Sequence, residues 1–381
     1  MKHRDAALDG IRAFAALGVW LLHVGSDTGV MYGEGMFAWL MSRLGIAVPI
    51  FFLLSGLLLY RPWAKAAIEG TEPPRPLRYL WRRVLRVMPV YWIVTALALW
   101  AWSTLDWRGW LNRMLLLQNY FREEKAPDGL YQMWTLPIEM SFYLLLPVIA
   151  WLLGRCARGD DPAVRLLTGI AVLPVISVVN VVVARLYDLP QLSDWLPYNL
   201  VFFACGMAMA VLSVMIGHSR LVETLTPQLL VLAALLYVVL STELAGPRTL
   251  TLPTLSQSMW RVTLESAVAV LVVAPFALAA GPGSVRHRVV GNPVMAYLGR
   301  ISYSFFLWHA PVITLQHKIT GAPPFTGDFP SVAVVSFVVT TLLSIATYHL
   351  VEATTLRLAR HRSTPARPAP ARARPPVTPA P

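Results

Sequence analysis

The stretch LDGIRAFAALGVWLLH, residues 8–23, decides how the chain is read. It is apolar except for Asp9, Arg12 and His23. Extended to residue 26, it is long enough to enter a bilayer core of about 30 Å and cross most of it as a helix. A helix is the form to expect, because lipid offers no partner for open backbone groups. Arg12 and His23 are eleven residues apart. At roughly 100° per residue that returns to within about 20° of the same face and rises about 16 Å. The two therefore share a stripe, with Arg12 near one membrane edge and His23 well inside. Asp9 stands one turn before Arg12, where the two can pair. An arginine at the edge can act as an anchor that snorkels to the interface. A histidine within the span is a functional candidate by default, because ionisable groups are costly in lipid.

Working outward, the same character recurs along the chain. Of 381 residues 56% are hydrophobic and only 14% charged, against about 25% charged in soluble domains. Ten helical spans are expected, at approximately 8–26, 44–60, 85–104, 134–153, 163–184, 197–216, 227–245, 259–280, 294–316 and 331–356. The fold class is all-α, a polytopic membrane helix bundle. Residues 1–358 form one transmembrane domain, and 359–381 an Arg/Pro/Ala-rich tail expected to be disordered. No internal repeat is visible, and no room remains for a second folded domain. The first span lacks a small-residue cleavage site, so it is expected to be retained.

The formal net charge is +12. Nucleic-acid binding is excluded as its explanation, because the basic residues lie in short segments between apolar spans. There they set orientation. Counted over ten spans, far more of them fall on the side of the N-terminus, which places both termini in the cytoplasm. Residues 61–84 read as a basic inner loop and 105–133 as an outer segment rich in Trp and charge. Cys156 and Cys205 are the two cysteines, too few for a disulfide framework or a metal site. The Arg/Pro/Ala-rich composition points to a bacterial source.

Further ionisable residues stand in or beside the spans. WRRVLRVMP (81–89) opens the third, with Arg83 and Arg86 on one face. Clustered guanidiniums suit phosphate, which they bind with paired hydrogen bonds, or they anchor the helix at the interface. QMWTLPIEMSFYLLLP (132–147) sets Glu139 in an otherwise apolar span, where it should face a cavity or a cation. LGRISYSFFLWH (298–309) carries Ser302 and His309 seven residues apart on one face. A Ser–His hydrolase is one reading, though no GxSxG elbow is present. Glu352 near the end of the last span can pair with a neighbouring Arg.

These segments together resemble the acyltransferase 3 family, membrane enzymes that acylate surface carbohydrates, lipids and some natural products. LDGIRAFAALGVWLLH is similar to the family's opening motif, a basic residue, ten others, then His. GIAVPIFFLLSGLLL (45–59) resembles its second helix, and RRVLRVMPVYW (82–92) carries its Arg-x-x-Arg as Arg83 and Arg86. MWTLPIEMSFYLLLP (133–147) places the family's Glu on Glu139, and LGRISYSFFLWH and HLVEATTLRL (349–358) match its closing helices. Pro137 departs from the small polar residue usual before the Glu, and the Pro often seen soon after Glu352 is absent.

The resemblance implies transfer of an acyl group, by default acetyl, from cytoplasmic acyl-CoA to a hydroxyl of a carbohydrate, glycolipid or natural-product acceptor. No permanently bound cofactor or metal is implied; acyl-CoA is a substrate, and membrane lipids surround the protein. Arg83, Arg86 and Arg12 would hold the phosphates of acyl-CoA. His23 would be general base or covalent acyl carrier, Glu139 would orient His23 or the acceptor, and Arg12 would stabilise transition-state charge. Asp9, Ser302 and His309 would support them. Some members carry an added hydrolase-like domain, for which this chain is expected to be too short. The competing class is a transporter or flippase for a small polar or lipid-linked molecule, which predicts inverted repeats and broken mid-membrane helices. A structural envelope partner is a third reading.

Overall fold

The computed structural model describes residues 5–121, 126–217, 219–248, 251–279, 285–323, 325–355 and 357, with the side chains of 285–287 outside that description. The tail from 359 onward lies outside the described residues.

Local chemistry sets the helix ends. Asp5 opens α1 (Ala6–Asp27) by accepting hydrogen bonds from Ala7 N at 3.0 Å and Leu8 N at 3.4 Å, satisfying donors with no partner in the first turn. A short helix, Met36–Ser42, leads into α2 (Ala47–Glu69). Pro76 occupies the first turn of α3 (Pro76–Trp102), where its missing N–H costs nothing. α4 (Thr135–Cys156) follows a 3₁₀ turn, Tyr131–Trp134. α5 (Pro162–Leu186) and α6 (Leu196–Met215) come next, then α7 (Thr226–Leu240). Thr254 and Gln257 form a capping box at the start of α8 (Leu255–Ala277). Asn292 caps α9 (Pro293–Thr320), which ends on left-handed Gly321. α10 (Phe329–Thr347) runs on into a π-helical turn, Tyr348–Glu352.

Every expected span thus coincides with a helix, and among the described residues there is no β-strand, only an isolated bridge between Ser219 and Ala279. Among the described residues, eight helices are long and apolar enough to cross a membrane. α7, with 15 residues, reaches only about 22 Å. α9 has 28 residues but is interrupted by polar groups. The faces of α5 and α10 expose Val172, Val175, Val179, Val334, Val338 and Leu342. Such apolar faces fit lipid, not water. The chain is a multi-pass membrane protein.

The basic segment expected as a loop over 61–84 is mostly helix. α2 continues to Glu69 and α3 begins at Pro76, so only residues 70–75 connect them. Pro62 does not stop α2, and Lys65 pairs with Glu69 one turn on at 3.7 Å. Leaving an apolar environment does not end a helix whose exposed turns carry such pairs.

Two helix pairs form the frame. α2 packs most extensively on α6, and α1 on α9. At the first crossing Gly56 faces the Phe203 carbonyl and Gly206 the Leu53 carbonyl, and a Cβ at either would overlap that oxygen. Close approach through small residues is how helices gain contact in lipid. At the second crossing Gly299 lies against the Asp9 carbonyl in the same way. α1 and α9 run in the same direction, and their contact extends from Asp9 against Gly299 to His23 against His309.

Candidate active site

The α1–α9 crossing places His23 beside His309. Nδ1 of His23 lies 2.8 Å from Nε2 of His309, and the rings stack with centroids 5.0 Å apart. His309 is fully buried, whereas His23 is half-buried. Tyr131 meets the His23 ring edge-on at 4.8 Å and donates its hydroxyl to Asp27 at 2.9 Å. With Nδ1 committed to His309, the nitrogen of His23 left for chemistry is Nε2.

A first cavity is lined by Arg12 from α1, Arg83 and Arg86 from α3, Glu139 and Tyr143 from α4, and Ser302 from α9. Arg83 and Arg86, spaced by one helical turn, both reach it, while Arg82 is exposed. Asp9 sits 3.8 Å from Arg12, as the spacing of the two suggests. Glu139 accepts a hydrogen bond from Ser55 at 2.7 Å and another from the Tyr143 hydroxyl. Pro137 falls in the first turn of α4, where a missing N–H breaks no helical bond. Glu139 still reaches the cavity.

A second cavity is lined by His23 together with Gln132, Trp134, Arg185, Asp194, Tyr198, Asn199, Arg261 and Glu265. The two cavities share Val48, Thr135 and Phe306 in their walls. Phe306 stands 5.6 Å from the His309 ring and 6.4 Å from the Phe51 ring, centroid to centroid. A thin apolar partition therefore separates an arginine-rich chamber from the chamber holding His23.

The structure brings Arg12, Arg83, Arg86, Glu139 and Ser302 around one chamber and joins His23 to His309 beside the other. Glu139 does not contact His23; the imidazole is oriented by His309 instead. Ser302 donates to the Gly299 carbonyl at 2.9 Å and not to His309, so those two form no nucleophile–base pair. Glu352 accepts from Ser304 at 3.3 Å and is buried at the π-helical turn.

Sequence reasoning missed four charged residues of the second cavity. Arg261 lies within the expected span 259–280 and stands in α8, which begins at Leu255, and Arg185 lies at the C-terminal end of α5; neither was singled out. Arg261 pairs with Glu265 at 3.0 Å, and Arg185 donates to Ser258 at 2.8 Å. Glu265, 8% exposed in an apolar helix, meets the criterion that singled out Glu139 and was findable by it. Asp194 comes from a short 3₁₀ turn and carries no such signal.

The acyltransferase domain of the acyltransferase 3 family matches residues 5–349. YrhL of Bacillus subtilis (strain 168), named as a candidate peptidoglycan O-acetyltransferase, is 25% identical over 378 residues, covering 91% of this chain and 54% of its own. The peptidoglycan O-acetyltransferase OatA of Listeria monocytogenes serovar 1/2a is 23% identical over 345 residues, 82% of this chain and 50% of its own. The acyltransferase MdmB of Streptomyces mycarofaciens is 25% identical over 348 residues, 84% of this chain and 81% of its own. The chain thus spans about half the length of the first two relatives. No solved structure matches it.

Proposed function

The chain belongs to the acyltransferase 3 family, and on that premise we propose that the protein moves an acyl group, by default acetyl, from cytoplasmic acyl-CoA to a hydroxyl presented from the opposite side of the membrane. The acceptor is a carbohydrate, glycolipid or natural product; two of the relatives are named for peptidoglycan. The observation that carries this reading is the pair of chambers meeting beside His23. One is cationic, with three arginines against one glutamate. The other is polar and contains the imidazole.

In this reading the N-terminal end of α1 faces the cytoplasm. Arg83, Arg86 and Arg12 hold the phosphates of acyl-CoA, since guanidinium forks pair with phosphate oxygens. The rise of about 16 Å from Arg12 to His23 is comparable to a pantetheine arm. The arm carries the thioester past Phe306 and Val48 to His23. Nε2 of His23 takes the proton of the acceptor hydroxyl as its oxygen bonds to the acyl carbon. The carbon–sulfur bond breaks, and the departing thiolate recovers the proton from the imidazolium. His309, accepting from Nδ1–H of His23, holds the tautomer that leaves Nε2 free and steadies the charge that forms. Arg12 and the other guanidiniums offset charge on the donor side.

Purified protein in lipid nanodiscs tests the reading. With acetyl-CoA it releases free thiol, and Arg83→Ala with Arg86→Ala weakens acetyl-CoA binding by about tenfold or more, the worth of a charge-assisted contact. A protein that binds no acetyl-CoA and releases no thiol, but moves a polar solute across vesicles, is a transporter instead.

A further inference from the structure

α3 is longer than the bilayer core it crosses. Its 27 residues span about 40 Å, against about 30 Å for the hydrocarbon. The exposed side chains show which end projects. Ile93, Leu97 and Trp100 are exposed, Trp100 at 80%. Apolar side chains exposed along a membrane helix face lipid, and an exposed Trp suits the level of the headgroups. Arg82 stands on the same face, eighteen residues before Trp100, which is about five turns and about 27 Å. With Trp100 at one edge of the membrane, Arg82 falls at the other. The six residues before it, Pro76–Trp81, add about 9 Å, comparable to the depth of the headgroup layer.

This projecting end sorts its arginines. Arg83 and Arg86 line the first chamber. Arg75, at the helix start, Arg78, and Arg82 one turn further on are all exposed. No carboxylate occurs anywhere in α3, so nothing on the helix itself balances the outer three. Leu77 and Trp81 stand exposed beside them, Leu77 at 82%. Cations flanked by exposed apolar side chains match the boundary between headgroups and acyl chains. There guanidiniums meet lipid phosphates, while Leu and Trp meet hydrocarbon. A soluble anion offers nothing to Leu77 or Trp81.

We infer that this end of α3 is a binding surface for anionic phospholipid. Arg75, Arg78 and Arg82 hold the headgroup phosphates, and the upper acyl chains lie against Leu77 and Trp81. The inference rests on the helix crossing the membrane and not on acyl transfer. It also separates two uses of arginine on one helix, with the buried pair facing the first chamber and the exposed three facing lipid.

The test is lipid retention by the full-length protein, purified in detergent with phosphatidylglycerol and phosphatidylcholine in equal amounts and weighed by native mass spectrometry. Unfolding temperatures measured in parallel confirm that each variant is folded. The wild type retains phosphatidylglycerol in preference. R75Q/R78Q/R82Q loses about fivefold in that preference for each arginine removed, the worth of one basic residue near an anionic surface. R75K/R78K/R82K keeps the charges and most of the preference. R155Q/R158Q removes two other exposed arginines and leaves the preference as it is. Equal retention of the two lipids by the wild type, an undiminished preference in R75Q/R78Q/R82Q, or the same loss in R155Q/R158Q overturns the inference. So does release of the bound phosphatidylglycerol by acetyl-CoA, which would assign the three arginines to a soluble phosphate ligand.

Discussion

The proposed chemistry turns, at the scale of the residue, on the 2.8 Å contact between Nδ1 of His23 and Nε2 of His309. It assigns His309 a positioning role, with a specific consequence. His309→Ala lowers kcat by at least about tenfold, within the usual contribution of general acid–base catalysis, while the KM for acetyl-CoA is unchanged. His309→Asn, which keeps a hydrogen-bond acceptor, restores part of the loss. A structural role predicts instead that both variants lose folded protein and that KM and kcat move together. Much of this scale was legible in the sequence. His23, Arg12, Arg83, Arg86 and Glu139 announce themselves because ionisable side chains are costly in apolar helices. Tyr143, one turn after Glu139, was within reach of the same reasoning. His309 was singled out too, but its pairing with His23 and that of Ser55 with Glu139 were not legible, because the partners meet across 286 and 84 positions of chain, and periodicity describes only one helix at a time.

At the scale of the element, the proposed catalysis depends on how closely α1 and α9 cross. Gly299 sits against the Asp9 carbonyl, with no space for a Cβ. Gly299→Leu forces the helices apart at a cost of about 1–3 kcal/mol and lengthens the His23–His309 contact. Thermal unfolding of the variant in detergent measures the first effect, and kcat the second. Gly206→Leu at the α2–α6 crossing, which carries neither histidine, gives a similar loss of stability with a smaller effect on kcat in the molecules that remain folded. Equal losses of kcat in the two variants would mean that the crossing has no special coupling to the site. The helices themselves were readable from apolar length. Their ends were less so, as at α2, which continues to Glu69 because a helix ends where its capping chemistry dictates and not where lipid ends. α8 likewise starts earlier than the expected residue 259, at its Thr254 capping box.

At the scale of the whole molecule, the account needs the cationic chamber to open toward the cytoplasm. Cys156, free and exposed at the end of α4, reports on this. A membrane-impermeant maleimide labels it in inside-out vesicles and not in intact cells; the reverse would turn the protein over and detach the arginines from the cytoplasmic pool of acyl-CoA. The asymmetry of basic residues points to this orientation, and the chamber's charge gives it a purpose. The two chambers themselves were beyond sequence reading, because their walls come from helices far apart in the chain, with Val48, Thr135 and Phe306 shared between them. The proposed acyl transfer at His23 joins all three scales. The most direct measurement is transfer from labelled acetyl-CoA by the His23→Ala variant, reconstituted beside the wild type and matched for folded protein and acetyl-CoA binding. The account predicts binding within the normal range and transfer reduced by about 10²–10⁴-fold. Near-normal transfer by that variant would contradict it.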